Sequence, residues 1–263
     1  MAMSDDLLLL TQHGETATIT LNRPEIHNAF NGALIAALTR ELKLLADDDD
    51  VRVVILAARG KSFCAGADLN YMRGMAGYSE AENFADAEAL AEMLHLLHAL
   101  PKPTIALVQG AAIAGGVGLM SACDIAIAAE NATFSIAEVR LGLIPSVISP
   151  FVINAIGARR ASRYFLTGER FDAAEAERIG LVHDVVPDEA LQVRGDALVK
   201  QLLQGGPQAQ AEIKSLIDAV RDRPIEVGLA AETARRIARV RVSAEAREGM
   251  SAFLEKRKSS WQT

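Results

Sequence analysis

The amino-acid sequence predicts an α/β fold whose main sheet is largely parallel, and three observations support this. Two apolar, β-branched runs, Val51–Ala57 and Thr104–Val108, have the length and composition of strands that are buried on both faces. Apolar residues at helical spacing occupy the sequence before and between these runs. Glycine- and alanine-rich segments follow both runs, as expected where a strand turns into a helix. This alternation of strand and helix is typical of a parallel sheet.

The start of the chain supplies two strands and a helix. Leu7–Leu10 and Ala17–Leu21 predict strands joined by a turn, and the second shows strand-like alternation in TATITL. Pro24 ends this pairing, because proline cannot donate a hydrogen bond to a strand ladder. From Asn31 the apolar residues recur at helical spacing until the acidic stretch Asp47–Asp50, which predicts a helix before the first buried strand.

The remaining elements are mostly helical. The segment Tyr71–Gly77 contains methionine and glycine, and we interpret it as a flexible loop over an apolar ligand. A long helix is predicted over Glu80–Leu100, which ends before two prolines. Short extended elements are predicted at Asp124–Ala128 and from Ala132. Further helices are predicted over Ala158–Leu166, Ala173–Gly180, Glu189–Gln204, Pro207–Arg221 and Glu226–Lys258.

Composition and charge restrict the classes of protein to which this chain can belong. Its 263 residues are 50% hydrophobic, so one sizeable core is expected. A net charge of −7 argues against nucleic acid or an anionic membrane as the main partner. Two cysteines make no disulfide framework, and the apolar run near the N-terminus is too short for a signal peptide or a membrane span. We therefore expect a soluble, cytoplasmic protein.

The segment Thr104–Asp124 is the first candidate for chemistry, because a buried strand leads through a glycine-rich turn into a helix. Gly115, Gly116 and Gly118 allow a sharp turn and bring free main-chain N–H groups close to a ligand. The first amides of a helix lack intrahelical partners and favour negative charge, so they would stabilise a phosphate or an oxyanion. The alternative is a tight turn that only packs the helix on the sheet. The segment contains neither a P-loop lysine nor a nucleophile elbow.

A second small-residue loop, Arg59–Leu69, leaves the other buried strand. Ligands of open α/β sheets gather at the carboxyl ends of the strands. The amide of Ala65 in this loop and the amide of Gly115 are therefore predicted to hold one developing oxyanion. Cys64 lies in the same loop, and without a neighbouring base we interpret it as a small core residue rather than a nucleophile.

Glu138 is a lone carboxylate within the otherwise apolar run Ile136–Pro145, apart from Arg140. Burial without a partner raises the pKa of a carboxyl group, which suits a general acid or base. An ordinary ion pair with Arg140 is the alternative, and the spacing alone leaves both open. No metal site is predicted, because the four consecutive aspartates lack ligand spacing and a histidine pair in the long helix lacks a third ligand.

A series of segments resembles the crotonase (enoyl-CoA hydratase/isomerase) family along nearly the whole chain. The segments are LNRPEIHNAF, SFCAGADL, VQGAAIAGGVGL, SACDIAIA, AEVRLGLIP, FLTGERFDAAEAERIGLV and GMSAFLEKRK. The resemblance implies an α/β, crotonase-like spiral of ββα units with a C-terminal helical region that trimerises, commonly as a dimer of trimers. It also implies an acyl-CoA-binding core at residues 1–200 and a helical oligomerisation region at residues 201–263.

The resemblance further implies site residues. The amides of Ala65 and Gly115 match the oxyanion hole that polarises the carbonyl of an acyl-CoA thioester, and Glu138 matches one of two catalytic glutamates of the hydratases. Phe253 and Lys256 match residues that touch the nucleotide end of CoA from a neighbouring subunit. The substrate and CoA contacts in the core are implied at Ala65, Gly66, Ala67, Asp68, Leu69 and Gly115, with residues 65–68 meeting the adenine through the main chain. Coenzyme A is then part of the substrate, and no separate cofactor is implied.

The chain departs from the family pattern in two places. The second glutamate is replaced by Gly118, and Ser146–Pro150 stand where the family has a glycine-rich stretch. The segments GGVGL and EVRLGLIPSVISP are instead similar to bacterial hydratases of leucine and acyclic-terpene breakdown, which act on 3-methylglutaconyl-CoA and its isohexenyl relative. Such substrates carry a distal carboxylate, for which Arg140 and Arg73 are candidate partners. Hydration by Glu138 alone is expected.

Two other functions stay open at this point. A Δ3,Δ2-enoyl-CoA isomerase needs one carboxylate and no water, which also fits a single glutamate. Homologues of the same fold also serve as RNA-associated or structural proteins. The acidic composition and the absence of a basic, aromatic-interleaved patch count against RNA.

Overall fold

The computed structural model describes residues 7–262. Its strands are β1 (Leu8–His13), β2 (Thr16–Leu21), β3 (Val53–Ala58), β4 (Thr104–Val108), β5 (Ala111–Ile113), β6 (Ile125–Ala129), β7 (Thr133–Ser135), β8 (Arg170–Asp172) and β9 (Asp184–Val186). Its α-helices are α1 (Gly32–Asp47), α2 (Leu69–Met75), α3 (Glu80–Ala99), α4 (Gly115–Ser121), α5 (Ser149–Ile156), α6 (Ala158–Thr167), α7 (Ala173–Ile179), α8 (Leu191–Leu202), α9 (Pro207–Val220), α10 (Val227–Arg241) and α11 (Ala244–Leu254). Short 3₁₀ helices lie at Pro24–Ile26, Glu138–Leu141 and Asp188–Ala190.

Six strands form the main sheet in the order β1-β2-β3-β4-β6-β9. β1 pairs antiparallel with β2, and each later pair in this sheet is parallel. The predicted hairpin and the largely parallel sheet are therefore confirmed. A second sheet has the order β5-β7-β8, with β5 parallel and β8 antiparallel to β7. β5 and β8 were not predicted, because strands of three residues are too short to show a periodic pattern.

The central strands of the main sheet are buried on both faces. Val54 and Leu56 of β3 pack in one apolar cluster with side chains of α1 and α3. Val53 and Ile55 pack in a second cluster with Leu191 of α8. Successive side chains of a strand point to opposite faces, so a run that is apolar at every position indicates a sheet covered on both sides. This burial confirms the prediction made from the two apolar runs.

Side-chain caps set the starts of two predicted helices. Asn31 Oδ1 accepts a hydrogen bond of 2.8 Å from the Leu34 N–H and caps α1. Ser79 and Glu82 form a capping box at the start of α3. Both helices begin within a residue of their predicted starts, because the capping residue and the apolar periodicity indicate the same boundary.

The segment predicted as a flexible loop, Tyr71–Gly77, contains most of α2 instead. The Asp68 carboxylate precedes this helix and accepts hydrogen bonds from the N–H groups of Asn70 at 2.8 Å and Tyr71 at 3.5 Å. Such a cap starts a helix even where a glycine, here Gly74, lowers the helical propensity. The loop prediction is wrong because the Asp68 cap stabilises a helix over a segment whose methionine and glycine content alone suggests a loop.

The C-terminal helices also differ from the prediction. The helix expected over Glu226–Lys258 is divided into α10 and α11. Ser243 lies at the break, where its Oγ accepts a hydrogen bond of 3.1 Å from the Ala246 N–H and caps α11. The unpredicted helix α5 begins at Ser149, with proline in its first turn.

Arg52 ties the C-terminal part of the chain to the main sheet. Its side chain is buried, and its guanidinium donates hydrogen bonds to the main-chain oxygens of Leu203, Gly205 and Trp261. These oxygens compensate for the removal of the charge from water. The division of the chain near residue 200 and the assembly role of residues 201–263 stay predictions.

No helix within residues 7–262 combines the length and apolar composition needed to cross a bilayer. The longest, α3, carries the acidic residues Glu80, Glu82, Asp86 and Glu88 in its first half. The cytoplasmic location expected from the cysteine content stays a prediction.

Candidate active site

Three segments meet at the carboxyl ends of β5 and β7. Cys64 forms a parallel bridge with Ala112 of β5. Its N–H donates to the Ala111 oxygen at 3.0 Å, and its oxygen accepts from the Ile113 N–H at 2.9 Å. The Ala114 N–H, just past β5, donates to the Ser135 oxygen at the end of β7 at 2.8 Å. Glu138 follows shortly after β7. The Cys64 loop, defined as Arg59–Leu69, bridges to β5, while the start of α4 follows β5 and Glu138 follows β7. Because β5 and β7 are parallel, they end at the same edge of the sheet.

The main chain of the Cys64 loop shows which of its amides is free. The Ala65 N–H donates to the His27 oxygen at 3.0 Å, so this amide is used within the fold. Phe30 donates to the Gly66 oxygen at 2.7 Å and accepts from the Asp68 N–H at 2.8 Å, which is the pattern of a parallel bridge between Phe30 and Ala67. The Ala67 N–H therefore points away from Phe30. No acceptor among residues 7–262 lies in hydrogen-bond range of it.

This pattern corrects one predicted donor. Ala65 cannot supply a free amide while it is bonded to His27, whereas Ala67, two residues later, can. The sequence contains both alanines in the segment CAGAD, and no property of the residue types distinguishes them. The distinction depends on the bridge to Phe30, which is a tertiary contact.

The glycines around the site permit close packing. At Gly66, where φ is +91°, an added Cβ would lie 3.2 Å from the Ile113 oxygen. At Gly116 an added Cβ would overlap the Cys64 oxygen and lie 3.0 Å from the Cys64 Cβ. The sharp turn predicted at the glycines occurs at Ala114 instead, whose φ of +50° is unusual for a residue with a side chain. Gly66 and Gly116 are thus needed because the backbone of the Cys64 loop closely approaches the backbone at the start of α4.

A second free donor lies at the start of α4. Neither the Gly115 nor the Gly116 N–H has an acceptor in hydrogen-bond range within the described part of the chain, whereas the Val117 and Gly118 N–H groups donate to the Ala114 oxygen. Gly66 lies against Ile113 and Ala114, so the Ala67 and Gly115 amides come from adjacent segments. Two such donors are what a developing oxyanion requires.

Glu138 is half-buried, and its Oε2 atom is buried without a hydrogen-bond partner among the described residues. Removal from water raises the pKa of this carboxyl group, and a hydrogen bond with its own main chain partly offsets the rise. The alternative of an ion pair with Arg140 is not found, since the salt bridges within residues 7–262 include neither residue. An unpaired buried carboxylate oxygen suits proton transfer to or from a bound ligand.

Two residues near these groups have clear structural roles. Gly118 is buried, and an added Cβ would overlap Ile148 Cγ2 and lie 2.6 Å from Ile148 Cβ, so no side chain fits there. The Cys64 side chain is fully buried, and burial raises the pKa of its thiol to about 12. Cys64 is thus a core residue, as predicted, and it is no thiolate nucleophile.

The other predicted ligand contacts lie at the surface or are engaged in the fold. The Asp68 carboxylate pairs with Arg23 at 2.9 Å, while Leu69 is exposed. Arg73 is exposed and donates to Asn70 Oδ1 at 2.8 Å. Arg140 is exposed and packs against Gly168. At the end of the chain, Phe253 and Lys256 are exposed at the C-terminus of α11, and Phe253 is 82% accessible.

A buried asparagine supports the site and was not predicted. Asn28 Oδ1 accepts from the Arg23 N–H, and its amide nitrogen donates to the Arg59 and Ser62 oxygens, each at 2.8 Å. Asn28 and His27 both have φ of +55°, a conformation that asparagine tolerates better than most residues. Asn28 therefore anchors the Cys64 loop. The asparagine in the segment IHNAF could have indicated a left-handed turn at this position, because asparagine tolerates a positive φ.

Comparison with known proteins shows the family to which this chain belongs. The model of the enoyl-CoA hydratase/isomerase family matches residues 11–263. A 2,3-dehydroadipyl-CoA hydratase of Escherichia coli K12 is 33% identical over 252 residues, which are 95% of this chain and 96% of that protein. The structure of an enoyl-CoA hydratase from Shewanella pealeana has a TM-score of 0.95 and 42% identity, covering 99% of this chain and 100% of that one. The structure of an enoyl-CoA hydratase from Mycobacterium smegmatis has a TM-score of 0.91 and 36% identity, covering 98% of this chain and 99% of that one.

The chain belongs to the enoyl-CoA hydratase/isomerase family, and its fold is the crotonase-like fold of that family. It is an enzyme of enoyl-CoA hydratase type, a hydro-lyase whose substrates are acyl-CoA thioesters. The relatives are named as enoyl-CoA hydratases, which decides for an enzyme over the RNA-associated or structural alternative.

The raised pKa of Glu138 predicts a pH-dependent gain in stability for Glu138→Gln. Between the pKa of an unfolded glutamate, about 4.3, and the raised value, the folded state holds more protons than the unfolded state, so stability falls as pH increases. The amide that replaces the carboxyl group does not ionise. The variant should therefore match wild type in stability near pH 4 and be more stable than wild type at pH 8, where the wild-type carboxylate is ionised and buried.

Urea unfolding at a series of pH values measures this difference. Exposed Glu130→Gln, which also replaces a carboxylate by an amide, is the matched control. A Glu138→Gln variant that is less stable than wild type at pH 8 would contradict an unpaired, buried carboxylate.

Proposed function

We propose that this enzyme adds water across the α,β double bond of a CoA thioester with Glu138 as its only catalytic carboxyl group. The thioester oxygen is held by the N–H groups of Ala67 and Gly115. The observation that supports this most directly is the buried, unpaired Oε2 of Glu138, which lies three residues after Ser135, the residue whose oxygen accepts the Ala114 N–H next to the free Gly115 amide. No second carboxylate oxygen among the described residues is both buried and unpaired. Coenzyme A is part of the substrate, and no further cofactor is needed.

The proposed reaction requires one proton to move twice. Ionised Glu138 takes a proton from water as the water oxygen bonds to the β-carbon. The electron pair of the double bond moves toward the carbonyl, and the thioester oxygen becomes enolate-like. The Ala67 and Gly115 amides stabilise that oxygen, because they are already oriented before the charge develops. The carboxyl group then returns the proton to the α-carbon, which regenerates the carboxylate.

We propose further that the acyl group carries a distal carboxylate, as in 3-methylglutaconyl-CoA or its isohexenyl relative. The Escherichia coli relative named 2,3-dehydroadipyl-CoA hydratase acts, by that name, on a dicarboxylic thioester. In this chain Arg140 is exposed two residues from Glu138, and it pairs with no carboxylate in the described residues. Arg73 is the second candidate, although it is hydrogen-bonded to Asn70. An arginine matches a carboxylate through two parallel hydrogen bonds.

The assembly is proposed to be a trimer or a dimer of trimers that brings Phe253 and Lys256 to the CoA of a neighbouring subunit. The last helices leave many large apolar side chains exposed, which favours contact with another copy. These side chains are Ile213, Ile217, Ile237, Val242, Met250, Phe253 and Leu254. Lys256 lies at the end of α11 and has no carboxylate partner within residues 7–262, so it is available for a phosphate.

The first test is the rate of hydration by Glu138→Gln. Loss of the proton-transferring carboxylate should lower kcat by roughly 10²–10⁴, while the dissociation constant for the acyl-CoA stays near that of wild type. The absorbance of a conjugated trans-2-enoyl thioester reports the reaction, and chromatography identifies the 3-hydroxyacyl product. Normal turnover by the variant removes Glu138 from the mechanism. A shifted double bond without hydrated product in wild type indicates the isomerase instead.

The second test compares kcat/KM on 3-methylglutaconyl-CoA and crotonyl-CoA for Arg140→Ala. Loss of a hydrogen bond to a charged group costs ~1.5–3 kcal/mol, so the glutaconyl value should fall about 10- to 100-fold. The crotonyl value should not change, because crotonyl has no distal carboxylate. Exposed Arg159→Ala is the control, and an unchanged ratio in Arg140→Ala rules out this role.

The third test measures the mass of the assembly and the contribution of Lys256. Sedimentation at micromolar protein should give a mass of three or six chains, and a monomer would contradict the assembly. Lys256→Ala should raise KM for CoA thioesters with kcat unchanged, because the nucleotide end is remote from the reacting carbons. Lys258→Ala is the matched control. Equal KM values for both variants and wild type would exclude Lys256 from CoA binding.

A further inference from the structure

Ile148 occupies the space beside α4 that a side chain at position 118 would fill. An added Cβ at Gly118 would overlap Ile148 Cγ2 and lie 2.6 Å from Ile148 Cβ. Ile148 is only 3% exposed and directly precedes α5. Gly118 and Ile148 therefore fit together as a hole and a knob, and either side can enlarge only if the other becomes smaller.

The contact lies three residues after Gly115, whose free N–H is at the N-terminal end of α4. Gly115 and Gly118 are three residues apart, which places them one above the other along a helix. An added Cβ at Gly115 would lie 3.1 Å from the ring of Phe30, whose bridge to Ala67 orients the Cys64 loop. Phe30 and Ile148 are thus neighbouring apolar side chains along one face of α4.

The chain also connects Ile148 to the catalytic carboxyl group. The Leu143 N–H donates to the Glu138 oxygen at 3.1 Å, and the Ser149 N–H donates to the Pro145 oxygen at 2.9 Å. Two local turns therefore carry the chain from Glu138 to Ile148. The segment that begins at the carboxyl group ends against α4.

We infer that Ile148 determines which acyl groups this enzyme accepts, by limiting the space for substituents at the β-carbon. This inference rests on the proposed placement of the thioester oxygen at the Ala67 and Gly115 amides. In this inference the carbon chain runs from that oxygen alongside α4, and at a rise of ~1.5 Å per residue Gly118 lies about 4.5 Å beyond Gly115. The β-carbon is two bonds from the carbonyl carbon, so its substituent lies level with Ile148. An apolar wall there favours hydrogen or methyl over a bulkier alkyl group as the second substituent at the β-carbon, and it therefore favours 3-methylglutaconyl-CoA over its isohexenyl relative.

The experiment measures acyl preference in Ile148→Ala. The substrates are 2-enoyl-CoA thioesters that carry hydrogen, methyl or propyl at the β-carbon. The ratio of kcat/KM for propyl over hydrogen should rise at least about 10-fold, since one methylene in an apolar pocket is worth about 10- to 200-fold. Ile148→Val removes a single methyl group and should shift the ratio in the same direction by less. Gly118→Ala should lower the ratio, because its methyl group displaces Ile148 toward the substrate.

Ile153→Ala is the matched control, because Ile153 lies in α5 but is 37% exposed. It should leave the ratio unchanged. A folded Ile148→Ala or Ile148→Val with the wild-type ratio overturns the inference, since a residue that only fills the core would change stability without changing preference.

A second readout separates this inference from the proposed reaction. The dissociation constants of the saturated β-methyl and β-propyl acyl-CoA analogues are measured by calorimetry for the same variants. If wild type binds these analogues but hydrates no enoyl thioester, the proposed reaction fails. The binding ratio still tests Ile148, and an equal ratio in wild type and Ile148→Ala overturns its role.

Discussion

The close approach of the Cys64 loop to the start of α4 is the contact on which the rest of the site depends. Cys64 bridges to β5, and at Gly66 and Gly116 the two backbones come too close for a Cβ atom to fit without displacement. Because of this packing, the free amides of Ala67 and Gly115 come from adjacent segments. A single hydrogen-bond donor holds an oxyanion weakly, whereas two preoriented donors stabilise it without reorganisation during the reaction. Chemistry at this place therefore follows from backbone packing more than from side chains.

Several features of the site reduce the stability of the fold. Ala114 has a positive φ, and such a conformation costs of order 1–3 kcal/mol. Glu138 keeps a buried oxygen without a partner, which raises its pKa. Contacts at the border of the site compensate, as Asn28 bonds to two carbonyl oxygens of the loop and Arg23 pairs with Asp68. Strained or unpaired groups persist only where the surrounding structure holds them in place.

The buried strands and the starts of α1 and α3 were predictable, and Gly115 and Glu138 could be chosen as candidates, because each has a local signal in spacing, capping or an isolated charge. The choice between Ala65 and Ala67 was not, since the direction of an amide depends on the bridge to Phe30, which is distant in sequence. The strands β5 and β8 had too few residues for a pattern. The resemblance shows that Gly118 replaces a glutamate of the family, but only the structure shows that Ile148 fills the space where a side chain at position 118 would lie. Capping residues and periodic patterns can be recognised in the sequence, whereas contacts between segments that are distant in sequence cannot.

The carbonyl stretching frequency of a bound thioester tests the central claim most directly. Isotope-edited infrared spectroscopy would use a saturated acyl-CoA labelled with ¹³C at the carbonyl, bound to Glu138→Gln so that no reaction occurs. We predict a lower frequency than for the same thioester in water, because two fixed N–H donors polarise the carbonyl more than mobile water does. A frequency equal to or above that in water would show that the Ala67 and Gly115 amides do not converge on the thioester oxygen.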